Sequence, residues 1–177
     1  MKKYKYWEKC MSKIESDKIQ ESIEFAIEKA KELGVQNELI DRIFQVNLKG
    51  YEKRINSKME ECIKRAKTEN AKVLCLYYSL DNGWDSTIYI CKEYTKENSY
   101  WIGKSRSWID IGKARGFSGI YKKENESAFF SDNLSSGIPL LLMLRTTIAF
   151  YNVAQNYKDC GLKICITATE SDFVRVL

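Results

Sequence analysis

The side chains best suited to chemistry lie between residues 100 and 123. Lys104, Arg106, Lys113, Arg115, Lys122 and Lys123 stand there against a single acid, Asp110. That surplus equals the formal net charge of the whole 177-residue chain, +5. Trp101, Trp108, Phe117 and Tyr121 are interleaved with the cations, and Gly112, Gly116 and Gly119 loosen the backbone. Cations mixed with aromatics over a sheet can neutralise phosphates and stack on bases. The same residue types dominate protein–protein hot spots. A third reading sends the aromatics to the core and leaves the cations to solvate the outer face. All three stay open on sequence alone.

A second cluster, Asp81, Trp84 and Asp85, sits at the tip of an expected hairpin. An exposed tryptophan flanked by acids would anchor an interface; folded back on the hairpin it would only pack. Arg145, in the middle of an apolar segment, is expected either to pair with an acid of the N-terminal helices or to lie at a solvent edge with Asn152 and Asn156.

The absence of histidine removes Ser-His-Asp and Cys-His arrangements, a histidine base and HExxH zinc chemistry. Gly103-Lys104-Ser105 resembles the tail of a phosphate loop, but Asn98 stands where the first glycine belongs. No helix is expected to follow it either. Asp81-x-Gly83-x-Asp85 lacks both the glycine and the bidentate glutamate of a calcium loop, having Ser86 and Lys92 in their places. The six cysteines, at 10, 62, 75, 91, 160 and 165, form no C-x-x-C pair, and most fall at apolar positions of periodic segments. They read as reduced, buried thiols. No catalytic residue, metal site or cofactor is expected, and the chain does not read as an enzyme.

Positioning these residues requires a core, and the composition supplies one: 44% hydrophobic and 30% charged. One domain is the expectation at this length. It would have a helical part over 1–69 and a sheet-plus-helix part over 70–177. The run 138–143 is membrane-like, but Arg145, Thr146 and Thr147 interrupt it short of the roughly 20 residues of a spanning helix. The basic start is followed by no apolar stretch of a secretory signal. A soluble, cytoplasmic protein with no membrane partner is expected.

The longest apolar segment, 138–157, sorts on a helix into a broad face of Leu140, Met143, Leu144, Thr147, Phe150, Tyr151 and Ala154. Arg145, Asn152 and Asn156 form a narrow opposite stripe. Ser135 or Ser136 is expected to cap it, with Pro139 in the first turn and Gly161 past the end. Earlier, Trp7, Cys10, Met11 and Ile14 mark a short helix. A second, capped by Asp17 and ended by Gly34, buries Ile19, Ile23, Ala26, Ile27 and Ala30. Further helical stripes run through Leu39, Ile43 and Val46, then Ile55, Met59, Cys62, Ile63 and Ala66, with a break at Gly50 undecided. From 72 the period changes. Segments 72–80 and 86–94 read as a hairpin through Asp81-Asn82-Gly83. Cys75 faces Cys91 and Tyr77 faces Tyr89 for one turn; the register moves by one for the other. Segment 99–104 continues the meander, 108–111 and 119–122 add short strands, 128–130 is a further short apolar run, and 162–169 with 172–176 form a closing hairpin. The fold class is α+β: N-terminal helices, a central antiparallel β-meander, one long buried helix near 137–158 and a C-terminal β-hairpin.

The hairpin from Tyr77 to Ser86 leading into Tyr89-Ile90-Cys91-Lys92-Glu93-Tyr94, behind a helical N-terminal third, resembles small bacterial immunity proteins of contact-dependent or polymorphic toxin systems. The resemblance covers residues 70–95 in detail. It implies a cytoplasmic inhibitor, an antitoxin, that binds one cognate toxin domain, often a nuclease, and occludes its active site. Asp81, Trp84, Asp85, Lys104, Arg106, Trp108, Lys113 and Arg115 are the expected partner-binding residues. One departure stands out: inhibitors of basic nucleases are commonly acidic, and this chain is basic. A nucleic-acid-binding protein using 100–123 is the alternative, although the first 70 residues set thirteen acids among their sixteen cations.

Overall fold

The structure is a computed structural model, and it describes residues 2–79, 85–95, 100–120, 134–168 and 175–176. The chain is α+β, with helices leading, a mixed sheet following and a long late helix. Its contacts divide it into two compact units, residues 1–48 with 114–148 and residues 49–113 with 149–177.

The first unit is helical: α1 (Lys2–Glu15), α2 (Ile19–Glu32), α3 (Asn37–Gln45) and the greater part of α6 (Leu134–Ala154). The α1 stripe of Trp7, Cys10, Met11 and Ile14 is fully buried, as its spacing predicts. On α2 the buried line is Ser22, Ala26 and Ala30, and the isoleucines beside it are only half-buried. Small residues let neighbouring backbones approach closely. Ser22 Oγ donates to the Cys10 carbonyl at 3.1 Å, joining α2 to α1.

Asp17 is not the cap of α2. Its φ is +58°, and the Lys18 N–H returns to the Lys13 carbonyl at 2.9 Å, which makes Asp17 the left-handed residue that closes α1. Gly34 closes α2 in the same way, with φ +89° and a Val35 N–H to Ala30 carbonyl bond of 3.0 Å. Here the sequence expectation holds.

α6 is buried nearly all round from Gly137 to Thr147, wider than the face its periodicity outlines, since Leu141 and Leu142 are enclosed as well. Arg145 is only half-buried, and Asn152 and Asn156 are exposed, as that pattern requires. The helix begins at Leu134, so Ser135 and Ser136 lie inside its first turn instead of capping it. Pro139 is its sixth residue. By length and composition Gly137–Tyr157 would suffice to cross a membrane, so Arg145–Thr147 do not cut the apolar segment short as expected; 78% of its most apolar window is buried in the protein.

The second unit holds α4 (Lys49–Thr68) and a five-stranded sheet. α3 ends at Gln45 and α4 starts at Lys49, so the break precedes Gly50, which sits in the first turn of α4. The strands are β1 (Val73–Ser79), β2 (Asp85–Cys91), β3 (Trp108–Asp110), β4 (Lys163–Ala168) and β5 (Arg175–Val176), ordered β3-β2-β1-β4-β5. The β1-β2-β3 meander and the β4-β5 hairpin are antiparallel, as expected. The pairing of β1 with β4 is parallel, so the sheet is mixed. Central β1 is apolar on both faces: Leu74, Leu76 and Tyr78 are buried on one, and Val73 and Cys75 on the other, where Tyr77 is half-buried.

Three local readings are corrected. Cys75 pairs with Tyr89 and Val73 with Cys91, a two-residue offset from Cys75 opposite Cys91. An offset of two keeps every side chain on its expected face, which the hydrophobic pattern enforces. Residues 100–104 do not continue the meander: Tyr100–Gly103 is a helical turn, α5, and both Trp101 and Ile102 are buried. A strand would send these neighbours to opposite faces; one turn of helix lets both cover Val73, Cys75, Cys91 and Cys165. Residues 118–120 are helical as well, so the short strand expected over 119–122 is not formed at 119 and 120. The hairpin tip and the run 128–130 lie outside the described residues.

Candidate functional site

Register decides which side chains share the sheet face that α5 partly covers. Val73, Cys75 and Tyr77 of β1 lie on it, with Cys91, Tyr89, Thr87 and Asp85 of β2 and Trp108 and Asp110 of β3. β4 adds Lys163, Cys165 and Thr167. The opposite face carries Leu74, Leu76, Ile88, Ile90 and Ile109, all buried, and meets α4 through a Tyr51–Ser86 hydrogen bond.

α5 encloses only one end of the first face. Beyond it, three aromatic rings run across three strands. Tyr77 meets Tyr89 edge-on with centroids 5.9 Å apart, and Tyr89 meets Trp108 at 6.3 Å. The two tyrosines are half-buried, and Trp108 is 50% exposed. One register step from Tyr89 and Trp108 towards the start of β2 comes Asp110, in the row of Thr87 and Tyr77, and Asp85 follows a step further. The Thr87 hydroxyl donates to Asp110 Oδ1 at 2.9 Å. An apolar strip with carboxylates at one end is the result.

At the other end of β2 and β3 the charge reverses. Lys92, Lys104 and Arg106 line a cleft of about 490 Å³ together with Glu69, Glu93, Ile90 and Trp101. Lys104 Nζ lies 3.2 Å from Glu93 Oε2, both exposed, a pair of small energetic weight. Ser105 Oγ lies 2.7 Å from the Ile90 carbonyl and 2.8 Å from that of Ser107, and Ser107 Oγ donates to Glu69 Oε1 at 2.8 Å. A second cleft of about 500 Å³ shares Lys92 and Glu93 and adds Lys72 and Lys163. Lys163 Nζ sits 4.1 Å from the centre of the Tyr94 ring.

The structure thus gathers Lys104, Arg106, Trp108 and Asp85 in one unit, on or beside one sheet face. Lys113 belongs to the same unit and is exposed; its carbonyl accepts from Arg54. Arg115 is exposed in the helical unit. Asp81 and Trp84 lie outside the described residues. Of the stretch's other aromatics, Trp101 and Phe117 are buried, so the core reading holds for those two and the surface reading for Trp108. Tyr77, Tyr89 and Asp110 were missed as surface partners. Their signal was alternation along the strands, but using it required the β2–β3 register. Arg145 donates to the Val46 carbonyl at 2.6 Å and lies over the Phe44 ring, satisfying the carbonyl of the residue that caps the end of α3.

The thiols are all free; five are buried and Cys160 is partly so. Burial pushes Cys91 up to about 11 and holds Cys75 well above the ordinary thiol range. Neither has the lowered pKa of a reactive nucleophile. Among the described residues no group of three or more His, Cys, Asp or Glu side chains could hold a metal ion.

No family model, no curated protein and no solved structure matches this chain.

Proposed function

We propose that this protein is a cytoplasmic protein-binding inhibitor, an immunity protein, that occludes a cognate toxin domain with its Tyr77–Tyr89–Trp108 face. The observation that carries the reading is Trp108: a large aromatic, half exposed, braced by Tyr89 on an ordered sheet and followed two residues later by Asp110. Rigid aromatics of this kind give contact area at little entropic cost and are enriched among hot spots. The carboxylates of Asp85 and Asp110 at the end of the strip complement a cationic partner, such as the phosphate-binding active site of a nuclease. This answers the mismatch between a basic chain and a basic target, because the contacting patch is acidic and aromatic while Lys104 and Arg106 lie at the other end of β2 and β3.

The test is rescue of growth on co-expression with the toxin domain encoded beside this gene. Wild type is expected to rescue and to form a stable complex. Trp108→Ala is expected to weaken that complex by about 30-fold or more, the scale of a hot-spot truncation of roughly 2 kcal/mol, with the melting temperature little changed. A wild-type protein that neither rescues nor binds would sink the proposal.

A nucleic-acid reading rests on Lys92, Lys104 and Arg106 instead. It requires retention of labelled DNA or RNA with affinity falling steeply as salt rises. The carboxylates beside Trp108 oppose it, since they would repel phosphates from the exposed stacking surface.

A further inference from the structure

We infer that the cleft between the end of β2 and the loop after α5 binds a small molecule carrying at least two phosphate charges. The site is independent of the aromatic face and does not rest on the inhibitor reading. Its volume, about 490 Å³, falls within the range of small-ligand sites. Across it and the adjoining cleft, five cations, Lys72, Lys92, Lys104, Arg106 and Lys163, face two carboxylates, Glu69 and Glu93.

Both carboxylates are already engaged. Glu69 accepts from the Ser107 hydroxyl and Glu93 from Lys104. The cations therefore exceed what the protein neutralises locally, and an incoming anion meets a net positive rim. Lys104 can leave Glu93 at small cost, because the pair is exposed and screened.

The loop that presents Arg106 is fixed from both sides. Ser105 Oγ is held at the Ile90 and Ser107 carbonyls and accepts the Ser107 N–H at 3.3 Å, while Ser107 Oγ is anchored on Glu69. A guanidinium between two pinned residues loses little freedom on binding, and its planar fork suits two phosphate oxygens. Lys92, which borders both clefts, can reach a second phosphate as a point charge. Ile90 and Trp101, which also line the cleft, are buried, so the charged side chains there are the exposed groups an anion meets.

Titration calorimetry with inorganic pyrophosphate at low salt tests the assignment, with inorganic phosphate and single-stranded oligothymidylate as comparison ligands. Pyrophosphate is expected to bind with one-to-one stoichiometry and more tightly than phosphate. Arg106→Gln and Lys92→Gln are each expected to weaken it by about tenfold or more, the loss of one charge-assisted pair. Lys53→Gln, an exposed cation on α4, is expected to leave it unchanged. Both cleft residues are exposed, so circular dichroism should report unaltered folding. Absence of pyrophosphate binding overturns the proposal, as does equal weakening by Lys53→Gln. Binding of the oligonucleotide without pyrophosphate also overturns it, and assigns the cations to a nucleic-acid backbone.

Discussion

Tyr51 Oη and Ser86 Oγ lie 2.7 Å apart, both buried, and this bond ties α4 to β2. The Ser86 carbonyl in turn accepts from the Ile111 and Gly112 N–H groups at 2.8 and 3.0 Å. Ser86 is thus the junction of α4, β2 and the segment leaving β3, and it fixes the strand from which Asp85 emerges on the opposite face. Removing one partner strands the other's polar atom. Tyr51→Phe is expected to cost about 1–3 kcal/mol in urea denaturation. The double variant with Ser86→Ala should cost less than the sum of the single changes, with a coupling of about 0.5–3 kcal/mol. Strict additivity would contradict the bond.

Gly137 marks a close approach within the helical unit. A Cβ built there would meet Val35 Cγ2 at 2.5 Å and the Ala30 carbonyl oxygen at 3.3 Å. Gly137→Ala would ordinarily favour a helix by up to about 1 kcal/mol. Here the overlap should prevail and destabilise by about 1–3 kcal/mol. Trimming Val35 to Ala in the same chain should recover part of that loss, because the tightest contact is with its methyl. An alanine variant as stable as the parent in chemical denaturation would disprove the close packing.

Alkali should weaken the fold through groups that burial keeps neutral. Desolvation raises Cys10 and Cys91 to about 11 from an ordinary 9.0, Cys62 to about 12, and Tyr51 to about 12 from 10.0. The native state therefore holds protons that the unfolded chain has released. Their contribution is complete below about pH 9 and is lost as pH rises through about 9 to 12. Denaturation midpoints taken across that window should fall continuously. In the Tyr51→Phe background the part of the decline above about pH 10 should be smaller. A flat profile would mean that these groups are solvated.

Much of this architecture is legible locally. Periodicity finds the buried faces of α1, α4 and α6, and Gly34 ends its helix as glycine at such a position does. Asp17 misleads because an acid before an apolar stripe suits a cap, while the same short side chain tolerates the left-handed conformation that closes the preceding helix. Trp101 and Ile102 mislead because two adjacent apolar residues carry no period of their own. The parallel partnership of β1 with β4 is illegible for a different reason: strand pairing is settled by surfaces far apart in the chain. The candidate surface shares that difficulty. Trp108 stands out by type, but its neighbours Tyr89, Tyr77 and Asp110 become a surface only once three strands are in register.

The same parallel pair has a consequence for biogenesis. Val73 meets Lys163, ninety residues downstream, so the centre of the sheet is completed only when nearly the whole described chain has been made. Until β4 arrives, β1 is a growing edge that is apolar on both faces, with an unpaired row of backbone donors and acceptors on one side. Such an edge invites pairing with other chains. Sheet completion across so long a separation also favours slow folding. A nascent chain stalled before residue 163 would be an aggregation-prone species and a natural client for a chaperone at the ribosome exit.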